Sequence, residues 1–291
     1  MIEGFREGAE DVGEATIAYE AAGSGAPLLL LHGYPQTRTC WHRVAPALAE
    51  RFAVVAADLR GYGDSSTPPD GTNHEGYSKR AMAGDMVRLM ERLGHARFAV
   101  AGHDRGGRVA HRLARDHAER VTRIAVLDIV PTKTLFDTTD KEFATAYYHW
   151  FFLIQPDGLP ETMIGHDPEW FLRETVRRWS GTATPLDEAA IREYVRWFSR
   201  PEAIHASCED YRAAASIDLE HDAQDADRRV AAPLLALWGE QGRIGRMYDV
   251  LAAWRAVAED VRGRALAGGH FVPEEAPQET VRELVAFLGE E

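Results

Sequence analysis

The stretch Ala99-Val-Ala-Gly-His-Asp-Arg-Gly-Gly-Arg108 decides how this chain folds. Its pattern predicts a strand that runs into a Gly-x-Asp-x-Gly turn, and the turn opens a helix. A sharp strand-to-helix turn requires small residues on both sides of its central side chain, here Gly102 and Gly106. The central residue of such a turn is exposed as a nucleophile, often a serine, so Asp104 is the candidate nucleophile. A plainer interpretation is that Asp104 only caps the helix, because Asp is a preferred N-cap residue.

Three other segments extend the pattern. Upstream, the apolar run Pro27-Leu-Leu-Leu-Leu-His-Gly-Tyr-Pro35 predicts a buried parallel strand that ends in a turn suited to an oxyanion loop. Asp128 ends an apolar run, at the carboxyl end of a predicted strand, where α/β sheets place their chemistry. Near the C-terminus, Ala267-Gly-Gly-His270 precedes an amphipathic helical pattern, so His270 lies on a loop. Asp104, Asp128 and His270 therefore form a candidate triad.

At these positions the chain resembles the α/β-hydrolase family, and within it the branch with an aspartate nucleophile: haloalkane dehalogenases, epoxide hydrolases and haloacetate dehalogenases. The resemblance covers nearly the whole chain and includes Asp58-Leu-Arg-Gly-Tyr-Gly-Asp-Ser65. It implies an α/β fold with a mostly parallel sheet flanked by helices and an inserted helical cap. The strand before Gly239-Glu-Gln-Gly242 lacks the following aspartate that many relatives carry. We therefore assign the triad acid to Asp128, with Glu240 as the alternative.

Two arginines follow the candidate nucleophile within one helical turn, Arg105 and Arg108. The helix dipole disfavours cations there by about 0.3 to 1 kcal/mol each, so local stability does not explain them. A guanidinium binds a carboxylate through two parallel hydrogen bonds, which makes both residues candidates for holding a substrate carboxylate. Arg112 and Arg115 continue at helical spacing, and we assign them to structure. Haloacetate dehalogenases are similar to this chain in both arginines, whereas haloalkane dehalogenases have tryptophan directly after the nucleophile.

Between Pro131 and about Ala213, aromatic residues and helical periodicity replace the alternation of strands and helices. We predict a helical cap over residues 132–213, inserted into a core of residues 1–131 and 214–291. Within the cap, the resemblance implies that His149, Trp150 and Tyr211 match the halide-binding residues of haloacetate dehalogenases that act on fluoroacetate, and Trp179 is a further pocket candidate. An aromatic stripe in a helical cap is also what an ordinary hydrophobic core contains.

The resemblance implies a haloacetate dehalogenase that hydrolyses fluoroacetate, and chloroacetate as well, through an ester on Asp104. The backbone amides of Tyr34 and Arg105 would form the oxyanion hole, and no metal or organic cofactor is needed. An epoxide hydrolase with the same triad is the alternative, because tyrosines of the cap offer donors to an epoxide oxygen. The arginines argue against it unless the epoxide carries an acid group. A hypothesis from another class is a catalytically silent hydrolase-fold protein that binds a small carboxylate as a sensor, and the complete set of Asp104, Asp128 and His270 argues against it.

Composition limits the kinds of molecule that this chain is expected to bind and the compartment in which it is expected to work. The net charge of −13 argues against nucleic acid or an anionic membrane, and it means that a small anionic haloacid needs local positive charge to enter. No apolar run has the length of a membrane span, and the N-terminus lacks the pattern of a signal peptide. Cys40 and Cys208 lie outside any metal-ligand spacing. We expect a cytoplasmic enzyme with reduced thiols, and the resemblance suggests a homodimer.

Overall fold

The computed structural model of the chain describes residues 1–181 and 186–290. The strands of this part are Arg6–Asp11 (β1), Thr16–Ala22 (β2), Ala26–Leu31 (β3), Phe52–Ala57 (β4), Phe98–His103 (β5), Val121–Leu127 (β6), Leu234–Gly239 (β7) and Val261–Leu266 (β8). Within the described residues these strands form one sheet in the order β1-β2-β4-β3-β5-β6-β7-β8. The β1–β2 and β2–β4 pairs are antiparallel and the other pairs are parallel. The predicted, mostly parallel α/β sheet is therefore confirmed.

The apolar runs of the sequence form the middle of this sheet. β3 has parallel neighbours on both sides, and its residues Leu28–Leu31 are fully buried. A strand with helices on both faces has no polar face, which explains why the run is continuously apolar rather than alternating. The α-helices outside the β6–β7 connection are Ala45–Ala49 (α1), Lys79–Arg92 (α2), Arg105–Asp116 (α3), Ile244–Met247 (α12), Val250–Arg255 (α13), Val272–Glu275 (α14) and Pro277–Leu288 (α15), and two 3₁₀ helices span Arg38–Trp41 and Thr72–Tyr77.

Between β6 and β7 the described chain is helical. Several of these helices begin at residues that the sequence marks as caps: the Asp167 carboxylate, for example, accepts a hydrogen bond from the Trp170 amide at 3.0 Å. The division into core and cap at residues 132 and 213 stays a prediction. The helices are Thr132–Asp137 (α4), Lys141–Ala146 (α5), His149–Phe152 (α6), Leu159–His166 (α7), Pro168–Trp179 (α8), Glu188–Phe198 (α9), Pro201–Ala214 (α10) and Ile217–Gln224 (α11).

The strand order brings three loops together at one edge of the sheet. β3, β5 and β6 are neighbours, so the residues that follow them, Gly33, Asp104 and Asp128, come side by side. The ladder continues past the strand ends, since the Asp104 amide donates to Leu127 at 3.1 Å and the Asp128 amide donates to Leu237 at 2.8 Å. Among the helices of the described residues, none combines the length and the hydropathy that crossing a membrane requires.

Candidate active site

Asp104 occupies the turn between β5 and α3. Its φ and ψ of 45° and −113° lie outside the helical region, in a conformation that L residues adopt only under constraint. A Cβ at Gly102 would overlap the Gly106 carbonyl, and one at Gly106 would overlap the carbonyl of His32. The predicted need for glycine on both sides is thus met. The Asp104 side chain makes no capping hydrogen bond to α3, so the N-cap interpretation does not describe it.

The Asp104 carboxylate faces the loop after β3 instead. Its Oδ2 accepts a hydrogen bond from the Tyr34 amide at 3.0 Å, and a Cβ on Gly33 would lie 2.5 Å from the Asp104 Cβ. The Arg105 amide is in the first turn of α3, where backbone amides have no partner within the helix. Both predicted oxyanion amides therefore belong to the immediate surroundings of this carboxylate.

His270 pairs with the predicted triad acid. Its Nδ1 lies 2.7 Å from Oδ2 of Asp128, whose Oδ1 accepts a hydrogen bond from the Gly239 amide at 3.1 Å. The other ring nitrogen of His270, Nε2, is buried and has no hydrogen-bond partner among the described residues. Glu240, the alternative acid, is exposed. The pair thus leaves one imidazole nitrogen free for proton transfer.

Electrostatic interactions shift the pKa values of Asp104 and His270 in opposite directions. Burial alone would raise the pKa of Asp104, but the charges of His270, Arg105 and Arg108 outweigh it and hold the pKa below its ordinary value. Burial likewise opposes a charge on His270, yet the Asp128 carboxylate raises the pKa of His270 above its ordinary value. Asp104 is therefore ionised at neutral pH, as a nucleophilic carboxylate must be.

Arg105 is fully buried and held by a residue that the sequence analysis did not single out. Asp210, on α10, accepts hydrogen bonds from Nε at 3.0 Å and from Nη2 at 2.8 Å, and it also binds Tyr62 and Lys79. Arg105 and Lys79 lower the pKa of Asp210 although burial would raise it. Asp210 occupies one edge of the Arg105 guanidinium, and only Nη1 lacks a partner among the described residues. The assignment of Arg105 to a substrate carboxylate stays a prediction, with Nη1 as the donor that remains for it.

Arg108 is also buried, and its Nε is a buried donor without a partner among the described residues. Its Nη1 donates to the Val130 carbonyl and to the Thr132 hydroxyl, both at 3.0 Å. Burial, together with the charge of Arg105, lowers the pKa of Arg108 to about 10, so it remains charged at neutral pH.

The arginines further along α3 have a different role. Arg112 lies 2.6 Å from carboxylates of Asp222 and Asp225, and Arg115 lies 3.2 Å from Asp222. These pairs attach the helix to the connection that precedes β7. The assignment of Arg112 and Arg115 to structure is confirmed.

The three predicted halide-binding residues meet above the arginines. His149, Trp150 and Tyr211 are all buried, and the Tyr211 ring centroid lies 5.6 Å from each of the other two rings. The Arg105 guanidinium carbon lies 4.1 Å from the Tyr211 ring centroid, a cation–π distance. Nδ1 of His149 and the Tyr211 hydroxyl are buried without a hydrogen-bond partner among the described residues. Burial lowers the pKa of His149 to about 3, so its imidazole is neutral.

Two more aromatic side chains close the group. Trp179 lies between the halide-binding candidates and the triad histidine: its ring centroid is 4.4 Å from that of His149 and 5.3 Å from that of His270. The Tyr34 side chain, which sequence analysis treated only for its amide, is fully buried, lies 5.4 Å from Tyr211 and keeps a hydroxyl without a partner among the described residues. In the sequence, only the position of Tyr34 directly after His32-Gly33, in the predicted oxyanion loop, could have indicated that its side chain belongs to the site.

Among the described residues, one group of potential metal ligands occurs away from this site. Ligand atoms of Asp70, His205 and Glu209 lie within 4.8 Å of one another, but His205 pairs with Asp70 at 3.0 Å and Glu209 pairs with His74 at 2.6 Å. These contacts account for the group as ion pairs between a loop and α10.

The family of the chain follows from comparison with known proteins. Residues 26–277 match the model of the alpha/beta hydrolase fold. A fluoroacetate dehalogenase of a Burkholderia species is 45% identical over 100% of this chain and 96% of its own, and a soluble epoxide hydrolase of a Corynebacterium species is 37% identical over 99% and 95%. A solved α/β-hydrolase structure from Nostoc sp PCC 7120 superposes with a TM-score of 0.99 at 57% identity, over 100% of both chains.

The chain belongs to the α/β-hydrolase family. Within that family, its resemblance to the haloacetate dehalogenases is confirmed by the full-length Burkholderia relative.

Proposed function

We propose that this protein is a haloacetate dehalogenase that hydrolyses fluoroacetate, and chloroacetate as well, to glycolate and halide. One observation carries the proposal: beside the ionised Asp104, two buried arginines each keep a donor without a partner among the described residues. A buried unpaired donor costs about 1 to 3 kcal/mol, and more on a charged group, unless a ligand satisfies it. A substrate carboxylate satisfies Nη1 of Arg105 and Nε of Arg108 together. The fluoroacetate dehalogenase relative supports the same substrate class.

In the first stage, the Asp104 carboxylate attacks the carbon that bears the halogen. A carbon–oxygen bond forms, the carbon–halogen bond breaks, and the halide leaves with the bonding electron pair. Two anions at 4 Å repel each other by about 4 kcal/mol at an effective dielectric of about 20, so substrate cannot approach Asp104 without compensation. Arg105 and Arg108 provide it.

The departing halide needs donors that remain in place without water. The imidazole of His149, the indole of Trp150 and the phenol of Tyr211 are buried donor groups that converge within the cap helices. Preorganised donors directed at a developing charge stabilise the transition state more than water does, because they need no reorientation. Because His149 is neutral, it carries one N–H, and in this scheme that N–H is on the ring nitrogen that faces the halide.

In the second stage, water hydrolyses the ester. Nε2 of His270 takes a proton from water, the oxygen attacks the ester carbonyl, and the Tyr34 and Arg105 amides stabilise the oxyanion. Collapse breaks the bond between the ester carbonyl carbon and the glycolate oxygen, which takes the proton back from His270. Asp104 is left as a carboxylic acid and releases its remaining proton to solvent, because its pKa is low. Asp128 keeps the imidazole oriented and stabilises its charged form.

Replacing Trp150 by Phe tests the halide donors. The change removes the indole N–H and keeps the aromatic face against Arg108, whose guanidinium carbon lies 4.6 Å from the ring centroid. A hydrogen bond to a charged group contributes about 1.5 to 3 kcal/mol, so we expect fluoride release to fall roughly tenfold to a hundredfold. Chloride release from chloroacetate should fall less, because fluoride depends more on hydrogen bonding. Equal losses for both halides would contradict the assignment.

The pH dependence follows from the two opposite pKa shifts. The pKa of His270 is raised, so lowering the pH protonates Nε2 and removes the base, and steady-state turnover should fall about tenfold per pH unit below that pKa. The pKa of Asp104 is lowered, so formation of the ester should not change over the same pH interval. Rapid-quench measurement of ester formation beside steady-state halide release separates the two steps. A parallel fall of both would contradict the assignment of His270 to the second stage.

An epoxide hydrolase is the second candidate, and two unpartnered phenols favour it. The Tyr34 and Tyr211 hydroxyls are buried side chains able to donate to an epoxide oxygen, and a relative with 37% identity is a soluble epoxide hydrolase. A neutral epoxide, however, leaves the donors of Arg105 and Arg108 unsatisfied. Halide release from fluoroacetate and chloroacetate, measured beside diol formation from a simple alkyl epoxide, distinguishes the two. Diol formation without halide release would favour the epoxide hydrolase over the haloacetate dehalogenase.

We further propose that the enzyme works as a cytoplasmic homodimer. Both cysteines, Cys40 and Cys208, are free and buried, which suits a reducing compartment. Sedimentation of the purified protein tests the dimer, and a single species at the monomer mass of 32.4 kDa would contradict it.

A further inference from the structure

A cavity of about 220 Å³ leads from the surface to the triad histidine. Trp179 and His270, which belong to the candidate active site, contribute to its wall, as does Tyr147. The described residues that line it also include Arg178, Arg243 and Arg246 and include no Asp or Glu. The His270 side chain is 10% exposed, so it is not completely closed off from this side.

The loop after β7 carries two of these arginines. The loop packs closely on the triad acid, because a Cβ on Gly242 would lie 3.1 Å from Oδ1 of Asp128. Arg243 follows directly, Arg246 is one helical turn on in α12, and both are exposed. This is the segment that lacks the aspartate of many relatives.

Arg243 and Arg246 differ from many other basic residues of this acidic chain in having no ion-pair partner among the described residues. The chain has 46 acidic and 33 basic residues, and Arg178, for instance, lies 2.6 Å from Glu174. Arg243 and Arg246 form no ion pair with any described residue, although Asp140 and Glu142 line a neighbouring cleft with them. The Asp140 side chain accepts a hydrogen bond from the Phe143 amide at 2.8 Å and caps α5. No carboxylate of the described residues therefore neutralises Arg243 or Arg246 at the cavity by an ion pair.

Tyr147 connects the cavity with the catalytic carboxylates electrostatically. Burial raises the pKa of its phenol, and Asp128 and Asp104 raise it further, whereas Arg108 and Arg243 act in the opposite direction. Arg243 therefore lies within electrostatic range of the same side chain as the candidate nucleophile. A cavity with cationic lining and low-dielectric walls raises the local concentration of anions, even on a protein whose net charge repels them.

We propose that this cavity is the route by which a small carboxylate anion reaches Asp104, and that Arg243 and Arg246 are specificity-determining residues that favour anions over neutral molecules. The proposal rests on the proposed function for the identity of the anion. The arginines act before the chemistry, by increasing the rate of productive encounter, and they do not touch the reacting atoms.

The first test is the variant R243Q/R246Q with chloroacetate as substrate. We expect kcat/KM at low ionic strength to fall about tenfold with kcat unchanged, and the difference from wild type to shrink as salt screens the charges. R92Q/R97Q is the matched control, because Arg92 and Arg97 are exposed, lack ion pairs with the described residues and lie near the amino end of β5, away from Asp104. Equal loss in both variants, or loss that salt does not reduce, would overturn the proposal.

A second measurement does not depend on turnover. Iodide, an anion, and acrylamide, a neutral molecule, both quench tryptophan fluorescence, and the Trp179 contribution is obtained by comparison with W179F. We expect R243Q/R246Q to lower the iodide quenching constant of Trp179 at least about twofold and to leave acrylamide quenching unchanged. Unchanged iodide quenching would overturn the proposal. If wild-type protein released no halide, the proposed function would fail, and this quenching comparison would still decide whether anions are drawn into the cavity.

Discussion

Replacing Asp104 by Ala is expected to lower fluoride release from fluoroacetate by about 10⁴-fold or more, because removal of a covalent nucleophile leaves only binding and electrostatic contributions. The loss should lie in kcat, since Arg105 and Arg108 still hold the substrate carboxylate. Removing the carboxylate also removes the repulsion that opposes an anion, so fluoroacetate should bind the variant at least as tightly as wild type. A fluoride-selective electrode measures the rate, and calorimetry measures the binding.

The control for this variant is Asp227→Ala. Asp227 is an exposed aspartate without an ion pair to the described residues, and its removal changes the net charge by the same amount. We expect wild-type rates from it. Substantial fluoride release by Asp104→Ala would show that another group, or water itself, attacks the carbon.

Replacing His270 by Asn has the second-largest expected effect. The Asn side chain can still donate to Asp128, so the buried carboxylate keeps a partner, but no base remains at the position of Nε2. Ester formation should proceed at nearly the wild-type rate, and its hydrolysis should slow by about 10² to 10⁴-fold. One equivalent of halide is then released in a burst, and mass spectrometry of the Asp104 peptide shows a substrate-derived adduct.

His166→Asn is the matched control, because His166 is exposed at the end of α7. It should show full turnover and no adduct. An inactive His270→Asn variant without burst or adduct would assign His270 to the first stage and contradict the two-stage scheme.

The sequence was sufficient to predict the parts of the site that depend on backbone turns. Glycines around Asp104 signal a turn that no larger residue permits, and the apolar runs before Asp128 and Tyr34 signal buried parallel strands. Once the strands are parallel, their carboxyl ends share one edge, which places these residues side by side without knowledge of any side chain. His270 was predictable as a loop residue, because Ala267-Gly-Gly-His270 directly precedes an amphipathic helical pattern.

The parts that escaped prediction depend on packing between distant segments. Asp210 is one of many acidic residues, and nothing in its neighbourhood shows that α10 carries it against Arg105, 105 positions away. The Tyr34 side chain likewise acquires its place only when Tyr211 packs 5.4 Å from it. Such contacts arise from tertiary structure, which local patterns in the sequence do not encode.

A single turnover in heavy-oxygen water tests the covalent ester most directly. With enzyme in excess over fluoroacetate, water attacks the ester carbonyl, so the heavy oxygen should appear in the Asp104 carboxylate and not in glycolate. Mass spectrometry of the Asp104 peptide and of the released glycolate reads both positions. Label in glycolate with an unlabelled Asp104 peptide would mean that water displaces fluoride directly, and it would contradict the role given to Asp104.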